Sequence, residues 1–242
     1  QRQMCIRDRF ERWDPARKIN TMFWPQGEGD YRMQNPYWIA YRNLRLNQKK
    51  RYMLSAQLSY DITDWLNISG RVRVDNTHTK YEQKLYASSN LTITEESTQG
   101  HYTISKPDET QTYADVLANI NKRFNDFSLV ANVGASIVNN RYEDLSYRGP
   151  IREKGIPNVF NVFDLDNTKK KARQDEWQEQ TQSIFASVEV GWKSMLYLTL
   201  TGRNDWASQL LGSSQTSFFY PSVGLSGVIS EMLKLPEWID YL

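Results

Sequence analysis

From about residue 50 onward the chain alternates apolar and polar residues in seven segments, and short and long connections between them take turns. In the first segment Tyr52, Leu54, Ala56, Leu58, Tyr60 and Ile62 share one face, with Met53, Ser55, Gln57, Ser59 and Asp61 on the other. Beyond a turn at Thr63-Asp64, Leu66, Ile68, Gly70, Val72 and Val74 alternate with Asn67, Ser69, Arg71, Arg73 and Asp75. Side chains of a strand point to opposite faces with a period of two, so each segment reads as a strand with one apolar and one wet side. Ala114, Val116, Ala118, Ile120 and Phe124 continue the scheme up to Asn125-Asp126. There Lys122 interrupts the apolar face near the turn, where it can snorkel towards water. Phe127, Leu129, Ala131, Val133, Ala135 and Ile137 follow. Ile184, Ala186, Val188, Val190 and Trp192 then lead to a turn at Lys193-Ser194, with Leu196, Leu198 and Leu200 after it. The seventh segment runs from Phe218 to Ser230, with Val223, Leu225 and Ile229 on its apolar face.

The three turns are tight. Between them the pattern predicts loops of roughly thirty residues after Asp75, about forty after Asn139 and about ten after Trp206, an asymmetry that outer-membrane barrels show. Alternation alone fits a soluble sandwich as well as a lipid-facing barrel. Two features favour the barrel. The polar faces carry Ser, Asn, Gly, Arg and Asp, which suits a wet lumen, and bulky aromatics gather at strand ends. Tyr60, Trp65, Phe124, Phe127 and Trp192 flank the short turns, while Trp177, Trp206 and Phe219 lie towards the long loops. Trp and Tyr favour the headgroup zone, so these positions predict an aromatic girdle.

Composition then removes some alternatives. The chain has 242 residues, a net charge of only +2 and 24% charged residues, which argues against a nucleic-acid-binding protein. No run fits a membrane helix of about 20 apolar residues; the longest uncharged stretch, Ala207 to Ser230, is broken by Pro221 and many Ser and Gly. The sole cysteine, Cys5, allows no disulfide within the chain. It lies in a charged, unpatterned opening, residues 1–9, which reads as a non-native start.

More specific signals lie in ordered motifs. Asn35-Pro36-Tyr37-Trp38 comes first, then Tyr60-Asp61-Ile62-Thr63-Asp64-Trp65-Leu66 with Gly70-Arg71. Leu198-Thr199-Leu200-Thr201-Gly202-Arg203-Asn204-Asp205-Trp206-Ala207-Ser208 follows, ahead of Phe218-Phe219-Tyr220-Pro221-Ser222-Val223. Ser230-Glu231-Met232-Leu233 with Leu235-Pro236-Glu237-Trp238 closes the series. Together these resemble the SusC/RagA-type TonB-dependent outer-membrane transporters of Bacteroidetes-like bacteria, over about residues 20–242. The resemblance implies an all-β, antiparallel, up-and-down transmembrane barrel of about 22 strands, of which this chain supplies about seven. In such transporters oligosaccharides or peptides are captured with a SusD-like lipoprotein lid. The TonB-ExbB-ExbD complex supplies energy through a segment near the N-terminus. On this reading residues 50–242 are barrel, residues 10–49 are an extracellular loop or incomplete strand region, and the plug and closing strands are absent. A piece with two open edges is expected to need detergent, since lipid does not tolerate unpaired strand edges.

The implied lipid-facing residues are Leu54, Leu58, Ile68, Val72, Val116, Ile120, Leu129, Val133, Val188, Leu198, Leu200 and Val223. The girdle comprises Tyr60, Trp65, Phe124, Phe127, Trp192 and Trp206. Arg71, Arg73, Arg203, Asp205 and Trp177 are candidates for lumen or substrate contact. For Arg203 and Asp205 the structural alternative is a pairing with lumen neighbours. Aromatics expected in long loops, namely Tyr81, Tyr86, Tyr102, Tyr142, Tyr147, Phe160, Phe163 and Trp177, offer surface for sugar stacking or for the lid, and ordinary loop packing explains them equally well. No catalytic motif is present, no cofactor is implied, and His78 and His101, both expected in a long loop, lack ligand spacing for a metal. The competing reading is a soluble extracellular β-rich glycan-binding module.

Overall fold

The computed structural model describes residues 10–23 and 34–229. Two short strands, β1 (Glu11–Asp14) and β2 (Ile19–Met22), pair antiparallel, and helix α1 spans Pro36–Arg42. Eight further strands form one sheet: β3 (Asn43–Thr63), β4 (Leu66–Tyr86), β5 (Gly100–Ser105), β6 (Asp108–Phe124), β7 (Phe127–Pro150), β8 (Lys171–Trp192), β9 (Leu196–Ala207) and β10 (Ser217–Gly227). They follow one another in meander order, and β5 and β6 both occupy the place between β4 and β7. Seven strand positions result, as the alternation predicts. The turns are Asp64-Trp65, Asn125-Asp126 and Lys193-Ser194-Met195. Asn125 (φ 48°), Lys193 (φ 50°) and Ser194 (φ 59°) take the left-handed backbone that tight hairpins require.

The expected long loops need correction. β4 runs on to Tyr86, β7 to Pro150, and β8 starts at Lys171, so much of what reads as loop is strand. His78 and His101 lie on β4 and β5; Tyr81, Tyr86, Tyr102, Tyr142, Tyr147 and Trp177 are also on strands, leaving Phe160 and Phe163 in a loop. The reason is physical. Residues 171–182 are polar on both faces, so the period-two signal vanishes while the backbone ladder continues. At 24 residues, β7 far exceeds the 9–11 that a bilayer needs. Residues 1–9 and the motifs from Ser230 onward lie outside the described residues. Of the region 10–49, the described part holds β1, β2, α1 and the start of β3.

Contacts divide the chain into two compact units. Unit one contains 1–51, 77–109 and 142–176; unit two contains 52–76, 110–141 and 177–242. The cuts fall close to where the apolar face of each strand gives out, after Val74, before Ala114, after Ile137 and before Ile184.

Unit one has a small buried core. Asn35 caps α1 by accepting from the Tyr37 amide at 2.9 Å, and Pro36 opens the helix with a preset φ. That positions Trp38, which is fully buried and donates its indole N–H to Ser89 Oγ at 2.9 Å. Ser89 in turn donates to Asn43 Oδ1, also at 2.9 Å. Leu85, Ala87, Tyr102, Ile151 and Leu165 complete the core. Gly100, at φ 112°, must be glycine, because a Cβ there would stand 2.6 Å from the Leu85 carbonyl oxygen.

Unit two has almost no interior. Among its described residues Ala131 is buried, but most large apolar side chains are exposed, which is the reverse of a soluble domain.

Candidate functional site

The polar face of unit two carries the candidate site, and strand register fixes who shares it. Across β8, β9 and β10, Ser183, Asp205 and Phe218 align, then Phe185, Arg203 and Tyr220, then Ser187, Thr201 and Ser222, then Glu189, Thr199 and Gly224. The opposite face carries Ile184, Asn204 and Phe219, then Val188, Leu200 and Val223, then Val190, Leu198 and Leu225. Pairing directly across strands keeps each row on one side, so one shift of register would exchange the faces.

The polar side is wired together. Arg71 donates to Asp115 at 2.8 Å, and Arg71 and Arg73 each lie 5.3 Å from the Tyr113 ring centroid, within cation–π range. Gln111 donates to Asn140 at 2.9 Å, and Asn140 to Glu179 at 3.0 Å, linking β6, β7 and β8. Nearer the tight turns, Asn119 donates to Asn67 at 3.3 Å and Asn132 to Ser187 at 3.2 Å. Arg203 donates to Asp205 at 2.7 Å and to Ser183 at 3.0 Å, with its guanidinium 5.9 Å from the Phe185 ring. Trp177 shares the strand parity of Glu179 and Ser183 and is half exposed. Arg203, Phe185 and Tyr220 line a recess of about 610 Å³ together with Asn132 and Ser187. The lumen candidates Arg71, Arg73, Arg203, Asp205 and Trp177 thus share one kind of surface but not one pocket. Gly134 sits beneath Phe185, whose ring would be 2.7 Å from any added Cβ. Tyr220 is missing from the sequence-derived candidates. Its parity, opposite to that of Val223, is the signal that places it on this face.

On the other face Leu54, Leu58, Ile68, Val72, Val116, Val133, Leu198, Leu200 and Val223 are exposed, and Ile120, Leu129 and Val188 are half-buried. Tyr60, Trp65, Phe124, Phe127, Trp192 and Trp206 are exposed as well, the first five at the tight-turn end. Lys122 does not simply break this face. Its ammonium lies 4.8 Å from the Trp65 ring and 5.2 Å from the Phe124 ring, and Lys193 lies 5.3 Å from Trp192. Cations resting on aromatics at a strand end suit a water–lipid boundary.

In unit one Tyr86 and Tyr102 pack around Phe160, with centroids 5.0 and 6.0 Å away. Ordinary packing therefore accounts for these three aromatics, whereas Phe163 is exposed. Tyr102 donates to Glu82 at 2.7 Å. Burial alone would raise the Glu82 carboxyl, but hydrogen bonds from Tyr102 and Lys80 and the charge of Lys84 bring it below the usual carboxylate range. Burial, followed by that same hydrogen bond, pushes the Tyr102 hydroxyl well up. Burial pushes His101 down, partly opposed by Glu95. Among the described residues no cluster of His, Cys, Asp and Glu fits a metal ion, and no helix is long and apolar enough to cross a membrane.

An antiparallel meander with an exposed apolar face, a wired polar face and tight turns at one end is the wall of a membrane barrel. The chain belongs to the TonB dependent receptor-like, beta-barrel family, which it matches over residues 6–231. Members of that family are outer-membrane proteins of Gram-negative bacteria, transporters and not enzymes. The fold is similar to the structure of the RagAB peptide transporter, with a TM-score of 0.69 and 16% identity over 84% of this chain and 22% of that one. It is similar too to the RagAB peptide importer in the closed-closed state, at a TM-score of 0.61 and 16% identity over 81% and 21%. The chain thus spans about a fifth of the length of those structures. None of the curated proteins compared matches it. The ordered motifs and the family match agree on a TonB-dependent barrel.

Proposed function

We propose that this chain is a wall segment of a SusC/RagA-type active transporter, importing oligosaccharides or peptides across the outer membrane with energy delivered through TonB. The observation that carries the reading is the two-faced wall. About ten residues of alternating strand rise about 34 Å along the strand, and a tilt of roughly 40° reduces this to about 26 Å, the height of an outer-membrane apolar band. Leu54, Leu58, Ile68, Val72, Val116, Ile120, Leu129, Val133, Val188, Leu198, Leu200 and Val223 are the lipid contacts of this proposal. Tyr60, Trp65, Phe124, Phe127, Trp192 and Trp206 are its girdle, and the tight turns face the periplasm. Arg71, Arg73, Arg203, Asp205 and Trp177 line the water-filled side. A SusD-like lipoprotein lid caps the intact transporter, and Phe163 is an exposed aromatic suited to such a contact.

A soluble glycan-binding module has no use for an apolar face left open to water. The test is uptake. Deleting the gene from its native host should abolish accumulation of one labelled oligosaccharide or peptide class, and a TonB-box deletion should do the same while leaving surface binding intact. Undiminished uptake of every oligosaccharide and peptide tested in both strains would refute the proposal.

A further inference from the structure

Unit two carries a groove of about 660 Å³ on its apolar face, within the range of small-molecule sites. Ala56 on β3, Gly70 on β4, Ala114 on β6 and Ala135 on β7 line it, with larger side chains such as Leu58 and Ile184 around them. All of these have the parity of the apolar face; Arg71, Asp115 and Ser183, which border the groove, are chain neighbours of the opposite parity. The groove therefore opens on the lipid side of the wall. The four strands lie side by side, so at about 4.8 Å per strand the small residues span roughly 14 Å. One leaflet of a bilayer core is about 15 Å deep.

Gly70 is the informative position. Its backbone is not left-handed, and an added Cβ would meet nothing closer than the Asp115 carbonyl oxygen at 3.8 Å. Neither conformation nor internal packing requires glycine there, although glycine inside a strand weakens it. Such a glycine marks a place where a group from outside the fold approaches the backbone closely. The groove also has a polar end. Gln182 on β8 pairs with Trp206 on β9, and both line it. Gln182 donates only to Gln180, at a long 3.4 Å, and among the described residues nothing accepts from the Trp206 indole N–H. This end lies where the apolar runs give out towards the long loops, after Ile137 on β7 and before Ile184 on β8. An apolar trough closed at one end by an amide and an indole is complementary to an amphiphile.

We infer that this groove seats one acyl chain of a lipopolysaccharide, whose linking carbonyl accepts from Gln182 and Trp206. The tight turns are at the opposite end of the strands. The polar end thus belongs to the outer leaflet, where the lipid A of lipopolysaccharide supplies the chains. The inference rests on the transport reading only for the orientation of the wall in the membrane.

The test uses the full-length transporter containing this chain, purified in detergent and stripped of lipid. It is incubated with an equimolar mixture of purified lipid A and phosphatidylethanolamine, and native mass spectrometry counts the lipids retained. The wild type should keep lipid A in preference to phosphatidylethanolamine. Gly70→Val adds a side chain that strands favour and that obstructs the groove, so retained lipid A should fall about fivefold or more. Ala135→Leu should act likewise. Gln182→Leu removes the amide at an exposed position and should reduce retention roughly two- to tenfold. Gly224→Val is the control. A Cβ there is equally free, 3.8 Å from Thr199 Cβ, but lies on the polar face, so retention should stay at the wild-type level. Heat-modifiable mobility reports whether each variant folds, and Gln182→Leu keeps the test open should both larger side chains disturb the barrel. No lipid on the wild type, or retention unchanged in the folded groove variants, overturns the inference. So does phosphatidylethanolamine retained as well as lipid A, or an equal loss in Gly224→Val. Lipid retention is read without cargo, so a failed uptake experiment would count against the transport reading and not against the groove.

Discussion

Val133→Arg in the intact transporter tests the lipid face where it should be most sensitive. Val133 is exposed near the middle of the apolar run Phe127–Ile137 on β7. At about 3.4 Å per residue it stands some 20 Å along the strand from Phe127 and roughly 14 Å from Ile137. Arginine at the midplane of an outer-membrane strand costs about 2–4 kcal/mol, falling to about 0–1 kcal/mol at the interface. The folded-to-unfolded ratio should therefore drop roughly 30- to 900-fold for Val133→Arg, and much less for Phe127→Arg beside the turn. Asn132→Arg is the control on the opposite face. It removes one hydrogen bond to Ser187, at 3.2 Å, worth about 0.5–1.5 kcal/mol. Urea unfolding in lipid vesicles, followed by tryptophan fluorescence, measures all three. Equal costs at 132 and 133, or a larger cost at 127 than at 133, would refute the assignment of faces.

Other consequences concern unit one and the piece itself. Trp38→Ala should destabilise the transporter's α1 region by about 3–5 kcal/mol, seen as faster hydrogen exchange at Ser89 and Asn43; unchanged exchange there would contradict its role as the core's anchor. Gly100→Ala forces a Cβ against the Leu85 carbonyl from a left-handed backbone and should cost at least about 1 kcal/mol by thermal melting, whereas Gly212→Ala, with nothing within 4 Å, should cost less. His101 is held below its ordinary value, so its contribution to stability is present above about pH 6.5 and is lost as pH falls from there towards the folded value. Protection factors of residues 97–105, corrected for intrinsic exchange, should fall as pH drops below about 6.5, and His101→Asn should flatten that dependence. Expressed alone, the 242-residue piece should require detergent, and a monomer that melts cooperatively in plain buffer would contradict this.

Much of the membrane wall was legible in the sequence because its physics has a period. Leu66 to Val74 and Phe127 to Ile137 declare one apolar face, and the tight turns fix where the strands reverse. The strand continuations were not legible. From Lys171 to Gln182 both faces meet water, so composition there carries no period although the ladder persists. Trp38 was visible as a motif but not as a core residue, since its indole is held by Ser89, far along the chain. Arg203 and Asp205 could be placed on one face by parity. Their partner Ser183 and the ring of Phe185 required register. The groove lined by Gly70 and Trp206 was hidden for the same reason: separate segments of the chain supply it.

The most direct test of the central claim is a nitroxide scan along β7. Single cysteines from Phe127 to Ile137, in an otherwise cysteine-free full-length transporter in lipid bilayers, would be spin-labelled and probed by collision with oxygen and with a water-soluble nickel chelate. Odd positions should be accessible to oxygen and shielded from nickel, with even positions the reverse, in strict period two and with oxygen access greatest near Val133. A scan without alternation, or with nickel favouring the odd positions, would contradict the account.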